Sequence, residues 1–236
     1  DLERALRKPV AQRAWFMIVD TRKCIGCNAC TVACIAENGL PPGVSYRTVP
    51  EVEVGQYPDV RRLFMPTNCQ QCDNPPCVAA APPGAITKRP DGIVAIDYAK
   101  FRNKADVAQA AKACPFKALS YDDGRYWTQG TPALQAYETR PREEYGARYT
   151  RRNGQLPIGA GRKCHFCLQR LEAGQLPACV VTCIGRAMYF GDRSDEGSVV
   201  AQLLRRVPHM HLNAAVKPRV AYVADDIKRG CQVCHG

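Results

Sequence analysis

The sequence predicts an α+β fold: two small interleaved lobes with long loops and a C-terminal tail. Three observations predict it. Fourteen of the 236 residues are cysteine, and they cluster in short, regularly spaced runs. Short β-prone stretches flank those runs, each bounded by Gly, Pro or Asp. Only two segments between them carry a helical period. A chain of this length forms one large domain or two small ones, and the cysteines favour two small lobes that draw much of their folding energy from bound metal.

Taken in order, Trp15–Asp20 reads as a strand leading into the first run, Cys24-x2-Cys27-x2-Cys30-x3-Cys34. Residues 63–65 lead as a strand into Cys69-x2-Cys72-x4-Cys77. Residues 92–97 and 118–121 read as strands around a lone Cys114-Pro115, with a helix over 103–113 between them. The last run is Cys164-x2-Cys167-x11-Cys179-x3-Cys183, followed by a strand at 187–190, a helix over Val199–Arg206 and a strand at 219–223. Residues 123–161 are rich in Gly, Pro, Arg and Tyr and show no period. So long a structureless stretch is uncommon inside a compact domain, and it reads as an excursion that packs on a partner rather than a free loop.

The spacing carries the chemistry. Thiolates two residues apart on a tight turn reach adjacent irons of a cubane cluster. The small residues Gly26, Ala29 and Ala33 let backbone N–H groups approach the sulfurs. Structural zinc also uses C-x2-C pairs, but it takes four ligands in two pairs, and the triple run Cys24 to Cys30 suits a cubane better. A disulfide scaffold is usually short and coreless, and these spacings crowd too many sulfurs together for pairwise bridging. Twelve cysteines therefore sort into three 4Fe–4S sites. The other two form Cys231-Gln-Val-Cys234-His235, the attachment motif of a c-type haem, with His235 as the proximal ligand; a chance CxxC is the alternative. His209, Met210 and His211 are candidates for the sixth haem ligand, which a partner could equally supply.

The formal charge is +11. With about −2 on each oxidised cluster and its thiolates, roughly +5 remains, so much of the basic excess balances the cofactors. The basic residues are scattered and form no recognition motif, which excludes nucleic acid as the expected partner. No run of 18 apolar residues is present, so no membrane span is expected. No signal peptide is visible, and the chain, opening at Asp1, reads as a mature or trimmed form. Haem attachment would place it in the periplasm, exported with a signal-bearing catalytic subunit. No Ser–His–Asp or general-base constellation stands out. His165, between two candidate ligands, reads as tuning a cluster.

The order of the blocks resembles the four-cluster ferredoxin subunits of DMSO reductase-type molybdenum oxidoreductases, which serve dimethyl sulfoxide, polysulfide, thiosulfate, tetrathionate and arsenate reductases and sulfite dehydrogenases. The resemblance rests on Cys24-Ile-Gly-Cys27-Asn-Ala-Cys30, Cys69-Gln-Gln-Cys72-Asp-Asn-Pro-Pro-Cys77, and Cys179-Val-Val-Thr-Cys183 leading to Phe190-Gly191-Asp192. It implies bacterial-ferredoxin-like lobes, with ligand sets Cys24, Cys27, Cys30 and Cys183; Cys34, Cys164, Cys167 and Cys179; and Cys69, Cys72, Cys77 and Cys114. The positions where the family keeps a fourth set hold Ala81, Lys104, Val107 and Ala110. All four are lost together, and the space is expected to be filled by side chains. In the family that centre lies farthest from the molybdenum, so the haem is expected to replace it beside the Cys69–Cys114 cluster.

The implied domains are 1–60 plus 155–195 with two clusters, an inserted lobe 61–122 with one, a partner-contacting excursion 123–154, and a tail 196–236 with the haem motif. The implied function is electron transfer without catalysis. The implied partners are a molybdopterin-type or tungsten catalytic subunit and an external cytochrome or membrane anchor. An iron–sulfur scaffold for a non-redox molybdenum enzyme, such as a transhydroxylase, is the alternative. A redox-sensing regulator is the weaker third, since the chain has no DNA-binding module.

Overall fold

The computed structural model describes residues 1–125, 136–150 and 161–225. Mixed helices and small sheets make it α+β. At its centre lies the strand Trp15–Asp20, buried at all six positions. Met188–Asp192 pairs with it antiparallel on one edge, and Val220–Val223 pairs parallel on the other. Both faces of this strand are covered, which is why its sequence runs apolar without alternation. Trp15, Met17 and Val19 enter the larger core, which also holds Cys30, Cys34, Cys164 and Cys179. Phe16 and Ile18 face the other way, against Val200, Leu203 and Leu204 of the helix Val199–Arg206. Ser198 caps that helix, its Oγ accepting from Ala201 N at 3.1 Å.

The segment after residue 195 is therefore no appended tail as far as Asp225. Parallel pairing on the central strand buries Val220 to Val223 completely, so it is a structural edge of the first core. The segment 123–161 also departs from the reading of a stretch without structure. Arg142–Glu144 and Ala147–Tyr149 form a hairpin around Tyr145 and Gly146, whose φ values of 51° and 78° give the left-handed turn that hairpins favour. With three residues a side, its alternation was too short to read.

A second core is built from residues 77–119. Ile86, Val94, Ile96, Phe101, Val107 and Ala110 pack there with Cys77 and Cys114. The expected helix is Lys104–Ala113, with Asn103 Oδ1 accepting from Ala105 N at 2.8 Å as its cap.

One local pattern recurs three times: a helix, a turn closed by a left-handed residue, then a strand. Pro76–Ala80 leads through Gly84 (φ 72°) to Ile86–Lys88. Lys104–Ala113 leads through Lys117 (φ 49°) to Ser120–Tyr121. Ala178–Val181 leads through Arg186 (φ 49°) to Met188–Asp192. In each, the left-handed residue lies three positions beyond Ala81, Cys114 or Cys183.

Several other elements escaped the sequence reading, among them the helix Ala29–Asn38, hidden by the cysteine run, and Glu51–Val54, which pairs with Arg61–Phe64 as a hairpin. The short helix Leu2–Arg7 and the chain after it are anchored by Asp192 at the end of the edge strand. The buried Asp192 carboxylate accepts from Lys8 Nζ (2.8 Å), Ala14 N (2.9 Å), Ser194 N (2.9 Å) and Ser194 Oγ (2.7 Å). Burial pushes its carboxyl up, but these donors outweigh burial and hold it below the ordinary carboxylate value. A lowered folded pKa means stability that is present in full above about pH 3.9 and lost as pH falls through the folded value. Asp192→Asn should therefore lower stability at pH 7 by about 1.5–3 kcal/mol. The gap to the parent protein should narrow towards pH 3. Urea denaturation at the two pH values measures both; an equal gap at both would contradict the assignment.

Candidate iron–sulfur centres

The twelve described cysteines all carry free thiols. The fold gathers them in three groups of four. Cys24, Cys27, Cys30 and Cys183 line one cavity, with Asn28, Val49 and Gly185. Cys34, Cys164, Cys167 and Cys179 line a second, with Met17, Asn38, Tyr46 and Arg47. Cys69, Cys72, Cys77 and Cys114 are mutual electrostatic neighbours. Cys30 and Cys34 sit one turn apart on the helix Ala29–Asn38, so that one element serves two groups. Cys30 also neighbours Cys179, and Cys164 neighbours Cys69. The groups thus stand in a row, first to second to third.

A common backbone device shapes the loops. In the C-x2-C turn that opens each run the residue before the second cysteine is left-handed: Gly26 (φ 70°), Gln71 (φ 49°) and Phe166 (φ 58°). Gly26 is there for a second reason, since a Cβ would lie 2.4 Å from the Phe64 ring. The turns aim N–H groups at sulfur. Phe166 N donates to Cys164 Sγ at 3.4 Å and Ala187 N to Cys183 Sγ at 3.2 Å. Asn38 Nδ2 reaches Cys34 Sγ (3.6 Å) and Cys167 Sγ (4.0 Å), and Asn68 Nδ2 reaches Cys164 Sγ (3.8 Å). Such donors stabilise thiolate charge.

Burial, reinforced by neighbouring thiols, pushes Cys72 and Cys164 up to about 12 and Cys77 up to about 11. Bare, these thiols keep their protons at neutral pH; only a strongly cationic group set among them would take the protons off. Among the described residues no three His, Cys, Asp or Glu side chains are arranged to hold a single metal ion. Zinc thiolates, with Zn–S near 2.3 Å, would need their sulfurs roughly 4 Å apart. Thiols grouped in fours, not arranged for a single ion and in two groups met by N–H donors, fit a polynuclear iron–sulfur cluster.

The first group alone reaches the surface. Cys27 is exposed, and Cys24 and Cys183 are partly so. Ile25 (61% exposed), Val32 (64%), Val181 (56%) and Ile184 (70%) are large apolar side chains on the same loops and helices.

Between the second and third groups lies a polar cluster that the sequence did not announce. Arg162, with no exposed surface, pairs with Glu144 at 2.7 Å and Asp122 at 3.4 Å, and donates to the hydroxyls of Tyr46 and Tyr149, each at 2.9 Å. The Tyr98 hydroxyl also donates to Glu144. Lys163, equally buried, donates to Val94 O and to Cys164 O. An Arg-Lys pair before a cysteine reads as ordinary surface charge, and Glu144 lies in the stretch without a period. His165 Nδ1 accepts from Leu168 N at 2.9 Å, so the proton sits on Nε2, 4.0 Å from Glu144. Burial lowers this imidazole to about 4, so it is neutral at pH 7.

Arg47 was likewise missed. Its Nη2 donates to Asn68 Oδ1 (2.9 Å) and Met17 Sδ (3.2 Å), while Nη1 is buried without a partner. At the positions where the family resemblance would put a fourth set, Val107 and Ala110 are buried in the second core, Ala81 packs beside it, and Lys104 lies over the Tyr121 ring at 5.5 Å. His209 and His211 each give Nδ1 to a backbone carbonyl, Val207 O at 3.0 Å and Val220 O at 2.8 Å. The backbone of Met210 pairs with that of Tyr222. Cys231, Cys234 and His235 lie outside the described residues. The described chain leaves at Asp225, beside Arg22 (3.9 Å) and Arg61 (3.7 Å), next to the first group.

Removing one member of the buried charge cluster would strand Arg162. Glu144→Ala should cost about 3–5 kcal/mol, because only the longer pair to Asp122 remains. A denaturation midpoint unchanged from the parent protein would contradict this.

A family profile described as a 4Fe-4S dicluster domain matches residues 60–131 and 148–193. A selenate reductase subunit of Mesobacillus selenatarsenatis is 47% identical over 225 residues, covering 94% of this chain and 76% of that one. A tetrathionate reductase subunit of Salmonella typhimurium is 36% identical over 204 residues, covering 85% and 65%. The arsenate respiratory reductase iron-sulfur subunit ArrB of a Shewanella species is 32% identical over 230 residues, covering 88% and 94%. With matches on this scale and cysteines grouped as above, the chain belongs to the 4Fe-4S dicluster family that includes these reductase iron–sulfur subunits.

Proposed function

We propose that this chain is an electron-transfer subunit without a catalytic site of its own. It relays single electrons between a molybdenum or tungsten bis-pterin catalytic subunit and an external or membrane partner. The relay runs through three 4Fe–4S clusters in two interleaved ferredoxin-like lobes, and a haem c at Cys231, Cys234 and His235 extends it. The observation that carries the reading is the row of three four-thiol groups with one end at an apolar surface. Bound clusters accept and release one electron each. The chain's own cysteines would hold them as thiolates, its N–H donors would point at their sulfurs, and burial would exclude water from the second and third.

The row has a docking end. Apolar side chains around partly exposed cysteines give a partner a surface to cover, and covering it brings the partner's redox centre close to the first group. The other end supports the loss of a fourth centre. Val107 and Ala110 fill the second core, the helix Lys104–Ala113 runs unbroken where a ligand loop would lie, and the turn from Ala81 to Gly84 keeps the form of those after Cys114 and Cys183. A cluster was replaced there by side chains on a retained backbone.

The haem reading rests on the motif and on the completeness of the other twelve cysteines. The haem extends the relay beside the Cys69–Cys114 centre, in place of a fourth cluster, and its residues lie outside the described ones. A periplasmic location follows from haem attachment.

Two outcomes test this. Ile184→Asp should slow electron exchange with the catalytic partner at least tenfold while iron content stays unchanged; an unchanged rate would place the docking surface elsewhere. The mass of the denatured chain, from which clusters dissociate and a thioether-bound haem does not, should exceed the polypeptide mass by one haem. An unmodified mass would end the relay at three clusters.

A further inference from the structure

Arg47 is a charge without a counter-ion. It opens the two-residue strand Arg47–Thr48, paired with Thr67–Asn68, and only 3% of its surface is exposed. Among the described residues, no carboxylate lies within ion-pair distance of it. Its Nη2 is used by Asn68 and Met17, and its Nη1 has no acceptor. An unpaired, dry guanidinium nitrogen is expensive, so native structures rarely keep one unless an ion not shown completes it. The sulfurs nearest it belong to two groups: Cys34, Cys164 and Cys179 of the second, which line one cavity with it, and Cys30 of the first. Burial works against its charge, yet these sulfurs, once ionised, outweigh burial and favour the charged guanidinium. Its partner Asn68 turns the other way, giving Nδ2 to Cys69 O at 2.8 Å and to Cys164 Sγ at 3.8 Å.

We propose that Arg47 is the shared counter-ion of the first and second centres, raising the reduction potential of both, with Nη1 as the donor reserved for cluster sulfur. The inference rests on the iron–sulfur reading above. When a centre is reduced, one electron arrives from its neighbour in the row, no bond to the chain changes and no proton is needed. The added negative charge spreads over sulfurs that face a fixed cation across a dry interior, where screening by salt is weak. The third centre, reached only through Asn68, feels Arg47 less. Arg47 is thus a tuning residue that makes the two centres nearer the docking end easier to reduce and ties their potentials together.

The test is an EPR-monitored redox titration of the holoprotein and of its Arg47→Met and Arg47→Lys variants, with iron counted in each. Arg47→Met should shift the reduction equilibria of two centres at least tenfold towards oxidation, about 59 mV for a one-electron couple. The third centre should shift less than threefold. Arg47→Lys, which keeps the charge, should hold all three within threefold of the parent. Unchanged potentials in a fully loaded Arg47→Met protein would overturn the proposal. If Arg47→Met does not retain clusters, Arg47→Lys decides it: a tenfold fall with the charge present would mean that the fork and not the charge matters, which also overturns it. A parent protein devoid of iron and sulfide would instead overturn the iron–sulfur reading itself.

Discussion

Everything in this fold answers to the burial of negative sulfur. Nine of the twelve described cysteines are buried, and a dry interior penalises thiolate charge, pushing up thiols such as Cys72, Cys77 and Cys164. Thiolate ligands can exist there only if three things are supplied together: a cationic core to take the protons' place, N–H groups aimed at the sulfurs, and fixed positive side chains nearby. The loops supply the second through the left-handed residues Gly26, Gln71 and Phe166. Arg47 and Lys163 supply the third. The net positive charge of the chain is, in this light, partly an internal requirement rather than a surface property.

The same requirement explains the division of labour between the cores. The larger core is assembled from both ends of the chain, with Trp15–Asp20, Met188–Asp192 and Val220–Val223 in one sheet, because its two cysteine groups draw ligands from the first and last runs. The second core holds one group and, where another would fit the pattern, Val107 and Ala110 against Ile86, Ile96 and Phe101. The turn from Ala81 to Gly84 is shaped like its two cysteine-led counterparts after Cys114 and Cys183.

The cysteine runs were legible because ligand spacing is a local code of two-residue intervals, whereas the grouping across runs came from the family resemblance. The strands Trp15–Asp20 and Val220–Val223 and the helices Lys104–Ala113 and Val199–Arg206 were legible from apolar runs and helical period. What escaped depends on contacts across long separations. Arg162 and Glu144 are 18 residues apart, and Arg47 and Asn68 are 21. Each reads alone as an ordinary polar residue. The helix Ala29–Asn38 was hidden because cysteine ligands occupy its core-facing positions. The fully buried strand at the C-terminal side of the sheet looked like part of a tail because nothing in its own residues names its parallel partner.

The central claim is three polynuclear iron–sulfur centres and no fourth. The most direct measurement is iron and acid-labile sulfide per chain in protein purified without oxygen, after any haem iron is subtracted. The account predicts about twelve of each, four irons and four sulfides for each 4Fe–4S centre. Sixteen of each would mean that the second core still holds a fourth cluster. Zinc without labile sulfide would contradict the account outright.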